Sequence, residues 1–120
     1  MLCLIVDDSS VVRKVVRRIL EEMDIDCAEA ADGQQAFESC QNTMPDVIML
    51  DWNMPVMNGM EFMRKLRAHP TPTQPKVIFC TTENDTDHIQ AALAAGADEY
   101  IMKPFDSDII WSKFEQIGLL

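Results

Sequence analysis

The sequence predicts an α/β fold, a five-stranded parallel sheet with helices on both faces. Three observations predict it. Short apolar runs alternate with helical stripes five times over 120 residues, no low-complexity segment divides them, and reactive polar residues stand where the runs end. Runs that are apolar throughout, rather than alternating, suit strands covered on both faces.

The first run, Leu2–Val6, ends at Asp7-Asp8-Ser9-Ser10. Val12, Val15, Val16, Ile19, Leu20 and Met23 then recur at three- and four-residue steps, the stripe of an amphipathic helix. Ser9 or Asp8 is a natural N-cap for it. Residues 27–31 read as a weaker second strand, Asp32-Gly33 as a turn, and residues 34–41, with Ala36, Phe37 and Cys40, as the second helix. Pro45 breaks the chain before residues 47–50, a third strand that runs directly into Asp51. Beyond a loop with Pro55 and Gly59, Phe62, Met63 and Leu66 mark the third helix. Residues 69–75 contain Pro70, Pro72 and Pro75 and must be a connecting loop. Residues 76–80 form the fourth strand, ending at Thr81-Thr82, and residues 85–95 an alanine-rich helix stopped by Gly96. Glu99–Met102 is the fifth strand, ending at Lys103-Pro104. A last helix from about Ser107 is expected to turn Ile109, Ile110, Phe114 and Ile117 inward.

Composition narrows the function. Apolar residues make up 48% of the chain, enough for one core and one domain, residues 1–120. No apolar run approaches a membrane span, so no membrane is expected and the cytoplasm is the default location. A formal net charge of −10 argues against nucleic acid as a direct partner. Arg13, Lys14, Arg17 and Arg18 form a local exception, read first as a solvated helix face and second as a docking surface for an acidic partner. Cys3, Cys27, Cys40 and Cys80 form no C-x-x-C pair and read as reduced core residues. His69 and His88 lack zinc-ligand spacing, and the nine methionines read as core filler.

In a sheet of this kind the site lies beyond the carboxyl ends of the strands. Those ends carry Asp7, Asp8, Asp51, Thr81 and Lys103. Singly, each has a plain structural reading: a helix cap, a loop acid, a turn residue, a surface lysine. Their joint placement at one edge outweighs those readings. Carboxylates so close raise one another's pKa, so cations must offset them. Lys103 supplies one, and a hard divalent ion on oxygen ligands, Mg²⁺, suits the rest. The chain has no G-x-x-x-x-G-K-[ST] loop, no G-x-G-x-x-G and no G-x-S-x-G elbow. What fits is phosphoryl transfer to a carboxylate, with cations neutralising the phosphoryl oxygens.

The Asp7-Asp8 pair, the Asp51-Trp52-Asn53-Met54-Pro55 block with Gly59, Thr81 and the Lys103-Pro104 end resemble receiver domains of bacterial two-component response regulators. The resemblance spans essentially the whole chain, and is strongest to the single-domain chemotaxis type. It implies a flavodoxin-like (βα)5 sheet in the order 2-1-3-4-5. It further implies that Asp51 is the phosphoacceptor, fed by a histidine kinase, and that a downstream protein target, of the flagellar motor or chemotaxis, reads the result. A phosphatase is a further implied partner, and the chain is expected to be a monomer. Asp8 and Asp51 would hold Mg²⁺ (or Mn²⁺) directly, Asp7 through water, and Asn53 by its backbone carbonyl. Lys103 would pair with the phosphoryl oxygens, through a chain whose Lys103–Pro104 bond is cis.

By the same resemblance, Thr81 would move onto the phosphoryl group and Tyr100 would turn inward behind it. This remodels the surface of the fourth helix, fifth strand and fifth helix, where Tyr100 and Trp111 are candidate partner contacts. Asn53 and Glu83 would flank the attacking water and tune phosphoryl lifetime. Thr82 stands where the family usually has alanine or glycine and is expected to crowd the Tyr100 swing. Trp52 and Trp111 read first as packing residues. The expected activity is self-catalysed phosphorylation and autodephosphorylation, not turnover of a substrate. Two alternatives use related chemistry: a phosphate sink or relay intermediate, and an aspartate-nucleophile phosphatase, which would need an acid where Asn53 stands.

Overall fold

The computed structural model describes residues 1–82 and 86–120, and the Thr86 side chain is left aside. Ten elements alternate: β1 (Leu2–Val6), α1 (Ser10–Glu22), β2 (Asp26–Ala30), α2 (Gly33–Asn42), β3 (Val47–Asp51), α3 (Gly59–Ala68), β4 (Lys76–Thr81), α4 (Thr86–Ala94), β5 (Glu99–Met102) and α5 (Ser107–Gln116). The strands form one sheet in the order β2-β1-β3-β4-β5, every pair parallel, as the sequence predicts. Boundaries differ by a residue or so. β2 begins at Asp26 because its pairing starts at Leu2↔Asp26, and the expected first residue of α4, Asp85, lies outside the described residues.

The period of two in each strand divides the core into two layers. Leu4, Val6, Ile48, Leu50, Val77 and Phe79 face one cluster with Phe37, Phe62 and Leu66 of α2 and α3. Cys3, Ile5, Val47, Met49, Ile78 and Ile101 face the other, with Val16 and Leu20 of α1 and Ile110 and Phe114 of α5. Two apolar expectations fail for one geometric reason. Val15 is 52% exposed and Ile109 40% exposed. Each neighbours a buried residue, Val16 or Ile110, and adjacent residues on a helix lie about 100° apart. The inner stripes are therefore Val16–Leu20 and Ile110–Phe114.

Short polar side chains cap the starts of four helices. The Ser9 side chain accepts from the Val12 N–H, Asp32 from Gln35, Asn58 from Glu61 and Asp106 from Ile109. Gly96, at φ +110°, ends α4, with the Gly96 N–H donating to Leu93 and the Ala97 N–H to Ala92. α1 ends in the same pattern, Asp24 donating to Glu21 and Ile25 to Leu20, but its left-handed residue is Asp24, at φ 60°. Asp24→Gly is therefore expected to raise stability by about 1 kcal/mol, read as a higher urea midpoint at unchanged slope. All four cysteines are free thiols, and burial raises the pKa of Cys40 to about 11 and of Cys80 to about 12.

Candidate functional site

β1 and β3 are neighbours in the sheet, so their C-terminal ends bring Asp7 and Asp51 side by side. β5 lies beyond β4, and the Lys103 N–H donates to the Thr81 carbonyl at 2.8 Å, fixing where the lysine leaves the sheet. Its side chain reaches back across the strand ends. Lys103 Nζ donates to Asp7 Oδ2 at 2.8 Å and to Asp51 Oδ1 at 3.1 Å. The Lys103–Pro104 peptide is cis. Asp7, Asp51 and Thr81 are buried, whereas Asp8 is exposed at the mouth.

One oxygen from each of Asp7, Asp8 and Asp51 lies within 4.8 Å of the other two. Three carboxylates against one ammonium leave two negative charges without a described counter-ion. An oxygen-only donor set with one open, solvent-facing member suits a hard divalent cation rather than a soft one. Charge balance and donor chemistry therefore both fit a metal here.

Burial raises the pKa of Asp51 above the ordinary carboxylate range; Lys103 opposes this, and the charges of Asp7 and Asp8 add to it. For Lys103, burial works to lower the pKa, but the hydrogen bond to Asp7 and the charge of Asp51 outweigh it and hold the ammonium. Lys103 is thus a fixed cation, while Asp51 is a carboxylate whose charge its surroundings only partly accept.

The loop after Asp51 is built to close tolerances. The Gly59 N–H donates to the Trp52 carbonyl at 3.0 Å, and the Gly33 N–H to Met57 at 2.9 Å. A Cβ on Gly59 would collide with the Asp51 carbonyl oxygen and sit 2.8 Å from the Phe79 ring, so α3 can begin against the strand end only at glycine. Between these anchors, Met57 N–H donates to Pro55 at 2.7 Å around Val56, which is at φ 66° and 80% exposed. A β-branched residue in that region is strained.

The structure gathers Asp7, Asp8, Asp51, Lys103 and Thr81 at one end of the sheet. Asn53 is exposed just beyond Asp51, and Glu83 lies outside the described residues. Tyr100, on β5, is half-buried against the α2–α4 layer with Lys113 Nζ 4.8 Å from its ring centre. Thr82 instead lines a groove of about 360 Å³ with Val11, Val15, Pro104 and Phe105, on the α1 side of the sheet. Trp52 packs on Phe79 at 5.2 Å between ring centres, as a packing residue should, with His88 at 5.0 Å on another side. Trp111 is 47% exposed and belongs to neither core cluster. Of the basic cluster, Arg13 and Arg17 are bound to Glu29, at 3.0 and 2.7 Å, while Lys14 and Arg18 are exposed. Sequence reasoning missed the role of Arg13, which also reaches the Asp7 carbonyl; no spacing rule links those positions.

The chemotaxis protein CheY1 of Helicobacter pylori (strain J99) is 36% identical over 116 residues, covering 95% of this chain and 94% of that protein. A chemotaxis protein CheY homolog of Campylobacter jejuni (strain 81-176) is also 36% identical over 116 residues, covering 95% and 89%. The solved structure of Vibrio cholerae chemotaxis protein CheY4 superposes with a TM-score of 0.90 at 32% identity, covering 97% of each chain. Among the described residues no helix is long and apolar enough to cross a membrane. Residues 3–115 match the response regulator receiver domain, and with these relatives they place the chain in that family, as a CheY-like receiver of two-component signalling.

Proposed function

We propose that Asp51 accepts a phosphoryl group from the phosphohistidine of a histidine kinase, with Mg²⁺ held by Asp8, Asp51 and the Asn53 carbonyl and, through water, by Asp7. The observation that carries this reading is the single ammonium of Lys103 shared between two buried carboxylates, 2.8 Å from Asp7 and 3.1 Å from Asp51, with Asp8 alongside. An Asp51 oxygen attacks phosphorus as the bond to the imidazole nitrogen breaks; that nitrogen keeps the electron pair and leaves as neutral imidazole from its protonated form. Bound Mg²⁺ supplies charge neutralisation of the phosphoryl oxygens. Lys103 holds the same charge from the other side, without needing to gain or lose a proton. Burial of Asp51 excludes bulk water from the new acyl phosphate, and Asn53 and Glu83 set how fast water reaches it.

The donor must approach through the mouth of this crevice. Beside it lies the apolar groove of Val11, Val15, Pro104 and Phe105, on the helix that also carries exposed Lys14 and Arg18, and this supports docking of the donor there. On the far side, Thr81 and Tyr100 carry the change to α4, β5 and α5, where exposed Leu93, Met102 and Trp111 offer apolar contacts to a protein target. The chemotaxis relatives support a target in that pathway. The protein acts as a switch that phosphorylates and dephosphorylates itself rather than as a turnover enzyme, and works in the cytoplasm as a monomer.

Incubation with acetyl phosphate and Mg²⁺, followed by mass spectrometry of the intact chain and its peptides, tests the assignment. One phosphoryl group on the Asp51 peptide, not formed when the metal is chelated before acetyl phosphate is added, is expected. A phosphoryl group on any other residue overturns it.

A further inference from the structure

Asp7 and Asp8 follow β1 directly, and the peptide between them decides where the Asp8 carboxylate points. Among the described residues no hydrogen bond anchors that carboxylate, which is exposed. The peptide itself is held on both sides. The Asp7 N–H donates to the Ala30 carbonyl at 3.1 Å, and the Ser9 N–H donates to Asp7 Oδ1 at 2.9 Å. The third hold comes from the side. Arg13 Nη1 donates to the Asp7 carbonyl oxygen at 2.6 Å, the shortest hydrogen bond around this loop.

Arg13 is not a loose surface cation. Its side chain is only 17% exposed, and its Nε donates to Glu29 Oε1 at 3.0 Å. The other oxygen of Glu29 accepts from Arg17 Nε at 2.7 Å. Both carboxylate oxygens are thus used, and the guanidinium plane of Arg13 is fixed between β2 and the β1–α1 turn. A planar fork with two separate acceptors has one orientation, which a lysine cannot reproduce.

We propose that Arg13 is a positioning residue for the divalent metal: it locks the Asp7–Asp8 peptide through the Asp7 carbonyl, braced by Glu29, so that the Asp8 carboxylate is presented to the ion. This rests on the reading that Asp7, Asp8 and Asp51 hold that ion. Groups that orient metal ligands without touching the metal typically govern affinity by about 10- to 100-fold.

The proposal has a sign that charge alone contradicts. Arg13 is a cation near an anionic site, and removing a cation there strengthens the field that attracts a metal. A purely electrostatic role therefore gives Arg13→Gln tighter metal binding. A positioning role gives weaker binding.

Titration with Mn²⁺, followed by the electron paramagnetic resonance signal of the free ion, reads this without any phosphoryl chemistry. Arg13→Gln is expected to weaken Mn²⁺ binding about 10-fold. Arg13→Lys, which keeps the charge and spans only one of the two acceptors, is expected to fall between it and the parent, and serves also if Arg13→Gln does not fold. Lys14→Gln removes a neighbouring exposed charge and is expected to leave affinity equal or slightly tighter. Unchanged or tighter binding in both Arg13 variants overturns the proposal, as does an equal loss in Lys14→Gln. Asp8→Asn separates the two levels. If the parent binds Mn²⁺ and Asp8→Asn does not, the metal reading stands and the Arg13 variants decide this inference alone. If Asp8→Asn binds as the parent does, the metal reading itself fails and this inference with it.

Discussion

Asp51→Asn is expected to abolish phosphoryl uptake and, at neutral pH without metal, to leave the fold more stable than the parent. The first half follows from losing the nucleophile, since an amide oxygen does not form the acyl phosphate. The second half follows from electrostatics. Burial raises the folded-state pKa of Asp51; Lys103 opposes this and the charges of Asp7 and Asp8 add to it, and the net direction is upward. An acid whose folded pKa lies above its unfolded value favours the fold while protonated. That contribution is full below the unfolded carboxyl pKa, about 3.9, and is lost as pH rises from there through the folded pKa. Above both values the folded chain carries the whole penalty of an ionised Asp51. Asparagine keeps the shape of the protonated acid, still accepts from Lys103 and cannot ionise. Its advantage should therefore be absent near pH 4, grow with pH and then level off. Urea midpoints of parent and variant from pH 4 to 8 in chelator measure it. A gain of equal size at every pH would show that ionisation is not its cause. Added Mg²⁺ should shrink the gap, because the parent alone then gains a full set of ligands.

The strand ends were legible because chemistry and topology reinforce one another there. Leu2–Val6 and residues 47–50 are apolar throughout, so their register and direction follow from burial, and the acids that follow them must meet at one edge. The Ser9 cap was legible too, whereas Asp32, read as part of a turn, proves to cap α2. Failures cluster where the pattern is rotationally ambiguous or the partner is distant in sequence. Val15 fits an apolar count but not the inner stripe, and instead lines, with Val11, a groove open to solvent. Trp111 is large and apolar yet faces outward, which composition cannot distinguish from packing. Arg13 looked like one of four surface charges because its acceptors, the Asp7 carbonyl and Glu29, lie on other elements. The left-handed φ of Val56 had no signal at all, for a valine there is opposed by local preference and imposed by the anchors around it.

Lys103→Met is expected to change stability and metal affinity in opposite directions. Among the described residues the ammonium is the sole cation that bonds the buried carboxylates of Asp7 and Asp51, and its side chain is 19% exposed. Removing one partner of a buried ion pair strands the other, typically at 3–5 kcal/mol, and the partial exposure here brings the expected loss to about 2 kcal/mol in chelator. The same removal leaves three carboxylates with no internal competitor for a divalent ion. Mg²⁺ affinity should rise by about 10-fold, and saturating Mg²⁺ should restore most of the lost stability through binding to the folded state alone. Phosphoryl transfer from acetyl phosphate should nonetheless fall by about 10²- to 10³-fold, because methionine cannot neutralise the charge that the lysine ammonium would offset on the phosphoryl group. Thermal unfolding with and without Mg²⁺, a Mn²⁺ titration and the phosphorylation rate together read these terms. If stability in chelator and metal affinity both stay at parent values, Lys103 is not the counter-charge of the carboxylates. If transfer alone survives, the metal by itself carries the charge that forms in the transition state, and the lysine serves only the resting fold.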